Sequence, residues 1–380
     1  MQHMFRAVFG ALYRVVIKPI LFWRSPDPVH DAMVRTGKIV GKYSLIMNVT
    51  HALLAHPDDA RLAQTVFGIP FRNPLGLSAG LDKNAVLPPV MQAIGFGFAT
   101  VGTITALPAP GNPRPWFYRL PQTKSIVVNA GLPNEGAAKI HERILSFKSS
   151  LFEDFPLVAS VGKTNIAATN TDEAGLKDYI EGLKTLKDNP HVALFEINIS
   201  CPNTFGGEPF TRPKPLEALL SDIDALQLTQ PITIKMPINL TWDDFDALLQ
   251  IITRHNVAGV TIGNLQKDRT ATELKDNLSD SIQGNLSGKP TEVMCNELIT
   301  KTYQKYGDNL VIIGVGGVFT AEDAYEKIKR GATLVDMMTG VIFGGPTIIG
   351  DINTKLAQLL AADGYTNVSQ AIGAYYREKK

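Results

Sequence analysis

Eight short runs of β-branched and apolar residues, each followed by a longer stretch of helical pattern, limit what this chain can fold into more than any other feature. The runs occupy 75–79, 98–103, 157–161, 194–199, 232–236, 259–262, 310–315 and 333–338. Helix-like segments such as 172–186, 242–255 and 321–329 lie between them, with Gly or Pro at the joints. Such alternation over roughly 300 residues predicts an α/β chain with a (β/α)₈ TIM barrel, whose reactive groups sit at the C-terminal ends of its strands. A doubly wound open sheet is the competing fold. Against it, no G-x-G-x-x-G turn follows the first run, which leads instead into Ser78-Ala79-Gly80-Leu81-Asp82-Lys83-Asn84.

Polar residues gather where the strands should end. Lys83 follows the first run, Gly102-Thr103 closes the second, Ser160 to Asn165 follow the third and Asn198 to Thr204 the fourth. Lys235 lies in the fifth, and Gly263-Asn264 end the sixth. Ends that converge in this way make one site. Farther along come Asn285 to Pro290, Gly314-Val315-Gly316-Gly317, and Thr339-Gly340 with Gly344-Gly345. Glycine lets backbone N–H groups approach a phosphate closely, and the loops after strands seven and eight are the usual phosphate site of a barrel; a lone Gly-Gly is equally a turn. Asn129, Asn134, Asn198, Asn203 and Asn264 offer donors and acceptors to a planar, amide-rich ligand, although any one of them alone is as well read as a cap or turn former.

The chain has only two cysteines, too few for a disulfide framework or a four-thiolate zinc site, so a reducing compartment fits best. Cys295, beside Met294 on a helical pattern, reads as a buried apolar side chain. Cys201 stands just past a strand, before Pro202, and reads as a reactive thiol able to act as a general base once ionised, near its free pKa of about 8.5. Lys235, inside an apolar strand, should face an anionic or electron-rich group; an exposed edge-strand lysine is the plainer alternative. The seven histidines show no H-x-x-x-H or H-E-x-x-H spacing, so no metal site is expected, and no G-x-S-x-G elbow occurs.

Charges sum to 37 basic against 36 acidic residues, which excludes a globally basic nucleic-acid binder; no nucleic-acid partner is expected. The balance is uneven along the chain. The first acid is Asp27, after Arg6, Arg14, Lys18 and Arg24. Phe5, Val8, Phe9, Leu12, Val16 and Ile20 recur at helical spacing, with the cations off the stripe's centre, and Pro19 should kink or end the helix. Arg14 and Lys18 interrupt any run of the roughly 18 apolar residues a span needs, so a basic amphipathic helix lying in a membrane interface is the sharper reading. Docking of the stripe on the protein's own core and a targeting peptide are the alternatives. A second helical stretch, 29–54, is ended by His56-Pro57. The expected organisation is an N-terminal helical module, 1–54, ahead of a catalytic barrel, 55–380.

Taken together, 73–84, 95–105 with 111–115, 198–204, 286–290 and 312–317 resemble the dihydroorotate dehydrogenases over nearly the whole chain. The resemblance implies a barrel carrying FMN that oxidises (S)-dihydroorotate to orotate in pyrimidine (UMP) synthesis. It implies Cys201 as the catalytic base, with Lys83, Asn129, Gly131, Leu132, Asn198, Asn203 and Asn264 on the substrate. For FMN it implies Ala79, Gly80, Thr103, Ser160, Asn198, Lys235, Gly263, Gly288, Gly316, Gly317, Thr339 and Gly340. The N-terminal extension, Gly162-Lys163 and Leu286 to Pro290 look like the class 2 enzymes, which pass electrons to quinone through a tunnel under N-terminal helices. That implies peripheral attachment to the cytoplasmic face of the cell membrane, or to the inner mitochondrial membrane of a eukaryote. Cys201, Gly131 to Asn134 and Ile262 to Asn264 look like the soluble class 1 enzymes, which use fumarate or NAD. Ser160 stands where class 2 has asparagine, Leu265 replaces a hydroxyl residue, and Asn129 to Gly131 is one residue shorter than in class 2. A membrane-associated flavoprotein without turnover is the remote alternative.

Overall fold

The computed structural model describes residues 2–377 and closes the eight runs into one parallel barrel. Its strands are β1 (Leu75–Leu77), β2 (Phe98–Ile104), β3 (Leu157–Val161), β4 (Val192–Asn198), β5 (Ile232–Met236), β6 (Gly259–Ile262), β7 (Val311–Gly314) and β8 (Leu334–Met337). Neighbours in sequence pair in parallel, and β8 pairs with β1 to close the ring. The open-sheet alternative is excluded. Strand bounds differ from the sequence reading by at most two residues, the usual uncertainty of a frayed end.

Helices cover the outside, among them α5 (Pro88–Ala93), α6 (Ala137–Leu145), α7 (Asp172–Leu186), α8 (Pro213–Ala225), α9 (Trp242–Ile252), α10 (Glu292–Tyr306) and α11 (Ala321–Arg330). Their starts follow from local chemistry. Thr171 and Thr241 accept from the first-turn N–H groups of α7 and α9, and Thr320 with Asp323 forms a capping box on α11. Every residue of β2, β3, β5, β6 and β8 is buried, because helices cover one face and the barrel interior the other.

The interior is layered. Phe98, Val158, Leu194, Ile313 and Leu334 form an apolar plug at the base, closed from below by Phe71 of a short hairpin, 64–71, whose ring meets Phe98 edge-on at 5.3 Å. Two residues farther along the inner faces, the side chains turn polar: Thr100, Glu196 and Asp336. Beside the barrel mouth lies a small antiparallel sheet, 117–120, 125–128 and 285–286, outside the eight runs that form the barrel. It builds one wall of the cavity described below.

Before the barrel come α1 (Gln2–Leu12), a π turn at Tyr13–Ile17, α2 (Lys18–Trp23), α3 (Pro26–Val40) and α4 (Ser44–Leu54). Pro19 neither ends the rod nor starts a new one. The π turn just ahead of it widens the ladder, which absorbs the missing proline N–H. The single stretch expected over 29–54 is two helices, broken at Gly41 to Tyr43. The apolar stripe faces outward rather than onto the core: Val8, Leu12, Val16 and Ile20 are 64%, 46%, 44% and 57% exposed. What docks the rod is Arg6, grouped in sequence with the solvent-facing cations but 3% exposed here. Its guanidinium donates to Ala55 O, Asp351 Oδ1 and Thr354 Oγ1, the last two on α12 (Ile348–Ala362). Asp27 fixes α3 in turn, accepting from the backbone N–H groups of Trp116 and Phe117. No helix of the described residues is long and apolar enough to cross a membrane.

Candidate functional site

A cavity of about 460 Å³ opens at the C-terminal ends of the strands, within the size range of small-molecule sites. Cys201 and sixteen of the residues expected at substrate or cofactor line it; Asn129 and Ser160 do not. Asn129 Oδ1 accepts from Asn112 Nδ2 at 3.1 Å, which turns it toward the neighbouring loop. Ser160 is fully buried, with its hydroxyl 3.2 Å from Thr103 Oγ1, so it reaches the cavity only through Thr103.

Cys201 sits on the loop after β4, and that loop is tied from two sides. Asn165 and Lys163, after β3, bond the backbone of Phe205; Lys267, after β6, pairs with Glu208. Burial pushes the Cys201 thiol up to about 11, assisted by Glu208 and opposed by the Asn203 backbone N–H, Lys235 and Lys163. At neutral pH it is therefore a thiol rather than a thiolate, farther from ionisation than its free value suggested.

The amides around it are held before any ligand arrives. Asn198 Nδ2 donates to Thr103 Oγ1 at 2.8 Å, and its Oδ1 accepts from Ser200 N. Asn203 Nδ2 donates to Val128 O at 3.0 Å while its Oδ1 accepts from Asn285 Nδ2 at 2.9 Å; Asn264 Nδ2 donates to Ser200 O at 2.6 Å. Each keeps part of its donor or acceptor capacity for a ligand, in an orientation set by neighbours. Asn134 behaves otherwise. It bonds Thr105 and Leu132 O and accepts from Gly136 N, so it holds a turn.

Lys235 projects from β5 at 5% exposure, 3.7 Å from Glu196 Oε1. This excludes an exposed edge lysine. Lys83 faces the N-terminal helices: its Nζ is 3.2 Å from His30 Nε2 and 5.3 Å from the Phe117 ring centre. Burial, with Lys83 and Arg114 nearby and against Asp31, lowers His30 to about 3, so the imidazole is neutral and accepts from the ammonium. Burial also lowers Lys83 to about 8, against the pull of Asp82 and Asp31. It stays charged at neutral pH.

The cavity does not stop at the barrel. It runs on beneath the N-terminal helices, where Leu21, Phe22, Val29, Met33, Val34 and Val40 form an apolar chamber with Leu87 and Val90, and Arg119 and Tyr13 also line the cavity. Glu196 and Asp336, under the site, were not singled out from sequence. Their signal was the same one that marked Lys235: an ionisable residue in the middle of an apolar strand.

Comparison with known proteins agrees with this geometry. A family model described as dihydroorotate dehydrogenase matches residues 61–360. A relative named dihydroorotate dehydrogenase (quinone) from Synechocystis is 35% identical over 349 residues, 90% of this chain and 89% of the relative. One of the same name from Mycolicibacterium smegmatis is 34% identical over 366 residues, 96% of this chain and 100% of the relative. The ligand-free dihydroorotate dehydrogenase structure from Eimeria tenella matches with a TM-score of 0.81 at 25% identity, covering 93% of this chain and 99% of that one. With matches that span the barrel and most of the chain before it, the chain belongs to the dihydroorotate dehydrogenase family.

Proposed function

We infer that this protein oxidises dihydroorotate to orotate in pyrimidine biosynthesis and passes the electrons to a quinone. The observation that carries the reading is the single cavity. It joins a polar barrel mouth, with Cys201 and Lys235, to an apolar chamber under α1 to α3. A polar substrate and an apolar acceptor thus have separate ends of one space.

The residues present fit FMN. Gly288, Gly316 and Gly317 hold φ of +75°, +93° and +75°, a region that favours glycine. A Cβ would lie 2.4 Å from Thr291 Oγ1 at Gly316 and 2.2 Å from Val318 O at Gly340. Only bare backbone fits there, and with the Ser287 and Thr339 hydroxyls, 3.0 Å apart, it makes a cradle for a phosphate. Thr103, Asn198 and Lys235 supply polar groups for the ring. FMN held there would supply the hydride acceptor for C6 of dihydroorotate. Cys201 Sγ takes the proton from C5, while Lys83, Asn198, Asn203 and Asn264 hold the substrate ring in a near-attack position. Lys235 offsets negative charge that builds during the transfer. Replacing Gly340 by alanine is expected to lower FMN retention on gel filtration at least tenfold while the barrel's circular dichroism is kept; full retention would exclude the cradle.

The module 1–54 gives the acceptor its route and lays the protein on a membrane. Outward-facing Val8, Val15, Trp23 and Leu45 form an apolar surface of the kind that enters an interface, beside Arg14, Lys18 and Arg24. Trp23→Asp with Leu45→Asp is expected to remove most binding to anionic liposomes without slowing flavin reduction by dihydroorotate. Unchanged liposome binding would exclude this face.

Cys201 favours one second reading, in which the acceptor is fumarate or NAD. One experiment decides. The enzyme is reduced anaerobically with dihydroorotate and mixed separately with a soluble quinone, fumarate and NAD. Reoxidation by quinone is expected to be at least tenfold the fastest. Equal or faster reoxidation by fumarate or NAD would overturn quinone as acceptor.

A further inference from the structure

Beneath the mouth of the barrel, the inner faces of β4, β5 and β8 bring Glu196, Lys235 and Asp336 together, none more than 5% exposed. Lys235 Nζ lies 3.7 Å from Glu196 Oε1. Among the described residues, Glu196 Oε1 and both carboxyl oxygens of Asp336 have no hydrogen-bond partner. Below them lies the apolar plug, which closes that side to water. Gly76 on β1 leaves room for the acid, since a Cβ there would sit 2.4 Å from Asp336 Oδ1.

The other inner faces at this level add no charge: Thr100 on β2, Ser160 on β3 and Thr261 on β6 offer hydroxyls, and β7 has no ionisable residue. The charged groups facing Asp336 are therefore Glu196 and Lys235. One ammonium cannot support two buried carboxylates, because the second would be an unpaired charge in a dry interior. Lys235 and Glu196 form the ionised pair. Asp336 keeps its proton, pushed up to about 8 by burial and by Glu196, against the pull of Lys235.

We propose that Asp336 is a proton-holding positioning residue for the redox reaction: its neutral carboxyl leaves Lys235 with a single counter-charge, so the ammonium can offset the charge that arrives when the cofactor is reduced. The proposal rests on the FMN reading above. With Asp336 neutral, the cluster sums to zero; with Asp336 ionised, it is net negative and opposes reduction. Arriving electrons in turn make Asp336 hold its proton more tightly. Over the pH interval between its two titrations, reduction takes up one further proton from solvent at Asp336, and reoxidation returns it. The hydride from C6 and the C5 proton are unaffected by this exchange.

The test combines infrared difference spectra of the flavin-loaded protein with spectroelectrochemical titration from about pH 6 to 10. A protonated-carboxyl C=O band is expected at neutral pH that shifts on reduction and fades in the oxidised protein above about pH 8, where the flavin potential falls more steeply with pH. Asp336→Asn, whose amide imitates the neutral acid, is expected to bind flavin, lose the band and lose the steeper limb. An unchanged pH dependence in that variant would show a packing role only and overturn the proposal. If the variant does not fold, the wild-type spectrum decides, and absence of the band at neutral pH overturns the proposal. A wild-type protein that binds no flavin overturns the cofactor reading along with it, whereas flavin bound without the band overturns this proposal alone.

Discussion

Replacing Cys201 by alanine is expected to slow reduction of the bound flavin by dihydroorotate about 10²- to 10⁴-fold, the range for loss of a positioned general base. The thiol lines the cavity on a loop tied down by Asn165, Lys163 and the Lys267–Glu208 pair, so truncation removes a proton acceptor without freeing the loop. The pH profile carries the sharper signature. With the thiol pushed up to about 11, the ionised fraction grows about tenfold per pH unit across the neutral range, and the rate should climb with pH without reaching a plateau until near that value. Cys201→Ser, with a less acidic hydroxyl, should move the rising limb higher still. Anaerobic stopped-flow absorbance of the flavin measures both. Unchanged reduction rates in Cys201→Ala would remove Cys201 from the chemistry.

Lys235→Ala is expected to damage both stability and turnover, and to do so in a pH-dependent way. It takes the cation from a barrel interior that holds Glu196 and Asp336, and breaking a buried pair from one side costs about 3–5 kcal/mol. The sign follows from linkage. Burial already holds the Asp336 carboxyl above its unfolded value, and without Lys235 nothing opposes it, so the folded state binds more protons and stability falls as pH rises through that interval. The loss should be smaller near pH 5, where Asp336 is neutral, and largest above about pH 8, where it ionises. Chemical denaturation of the flavin-free protein across that range reads it directly. A penalty of the same size at every pH would mean that the lysine contributes packing rather than charge.

Much of this molecule was legible before its fold was known. Alternation of short β-branched runs with helical patterns is a local signal, and it located all eight barrel strands; once strands follow one another in that order, the ring places their polar C-terminal ends around one mouth. Cys201, Asn198, Lys235 and the glycines of the late loops came together for that reason. Glycine at positive φ is likewise local, which is why Gly288, Gly316 and Gly317 could be read as a cradle.

Other features depend on contacts between residues far apart in sequence. Arg6 belongs by spacing to a basic surface, yet Asp351, Thr354 and Ala55 bury it, and the apolar stripe beside it is left facing out. Asn129 and Ser160 carry the right chemistry, but Asn112 and Thr103 stand between them and the cavity. Lys235 was recognisable as a buried cation, whereas its two acidic neighbours come from strands on either side, 39 residues before it and 101 after it. The sequence by itself determined the barrel, the end of it that carries the chemistry and the family, because periodicity and loop composition are properties of neighbouring residues. Tertiary structure alone decided which side chains reach the cavity, which cation is a dock rather than a membrane contact, and which acid keeps its proton, because burial and electrostatics are set by whatever strand the closed ring brings alongside.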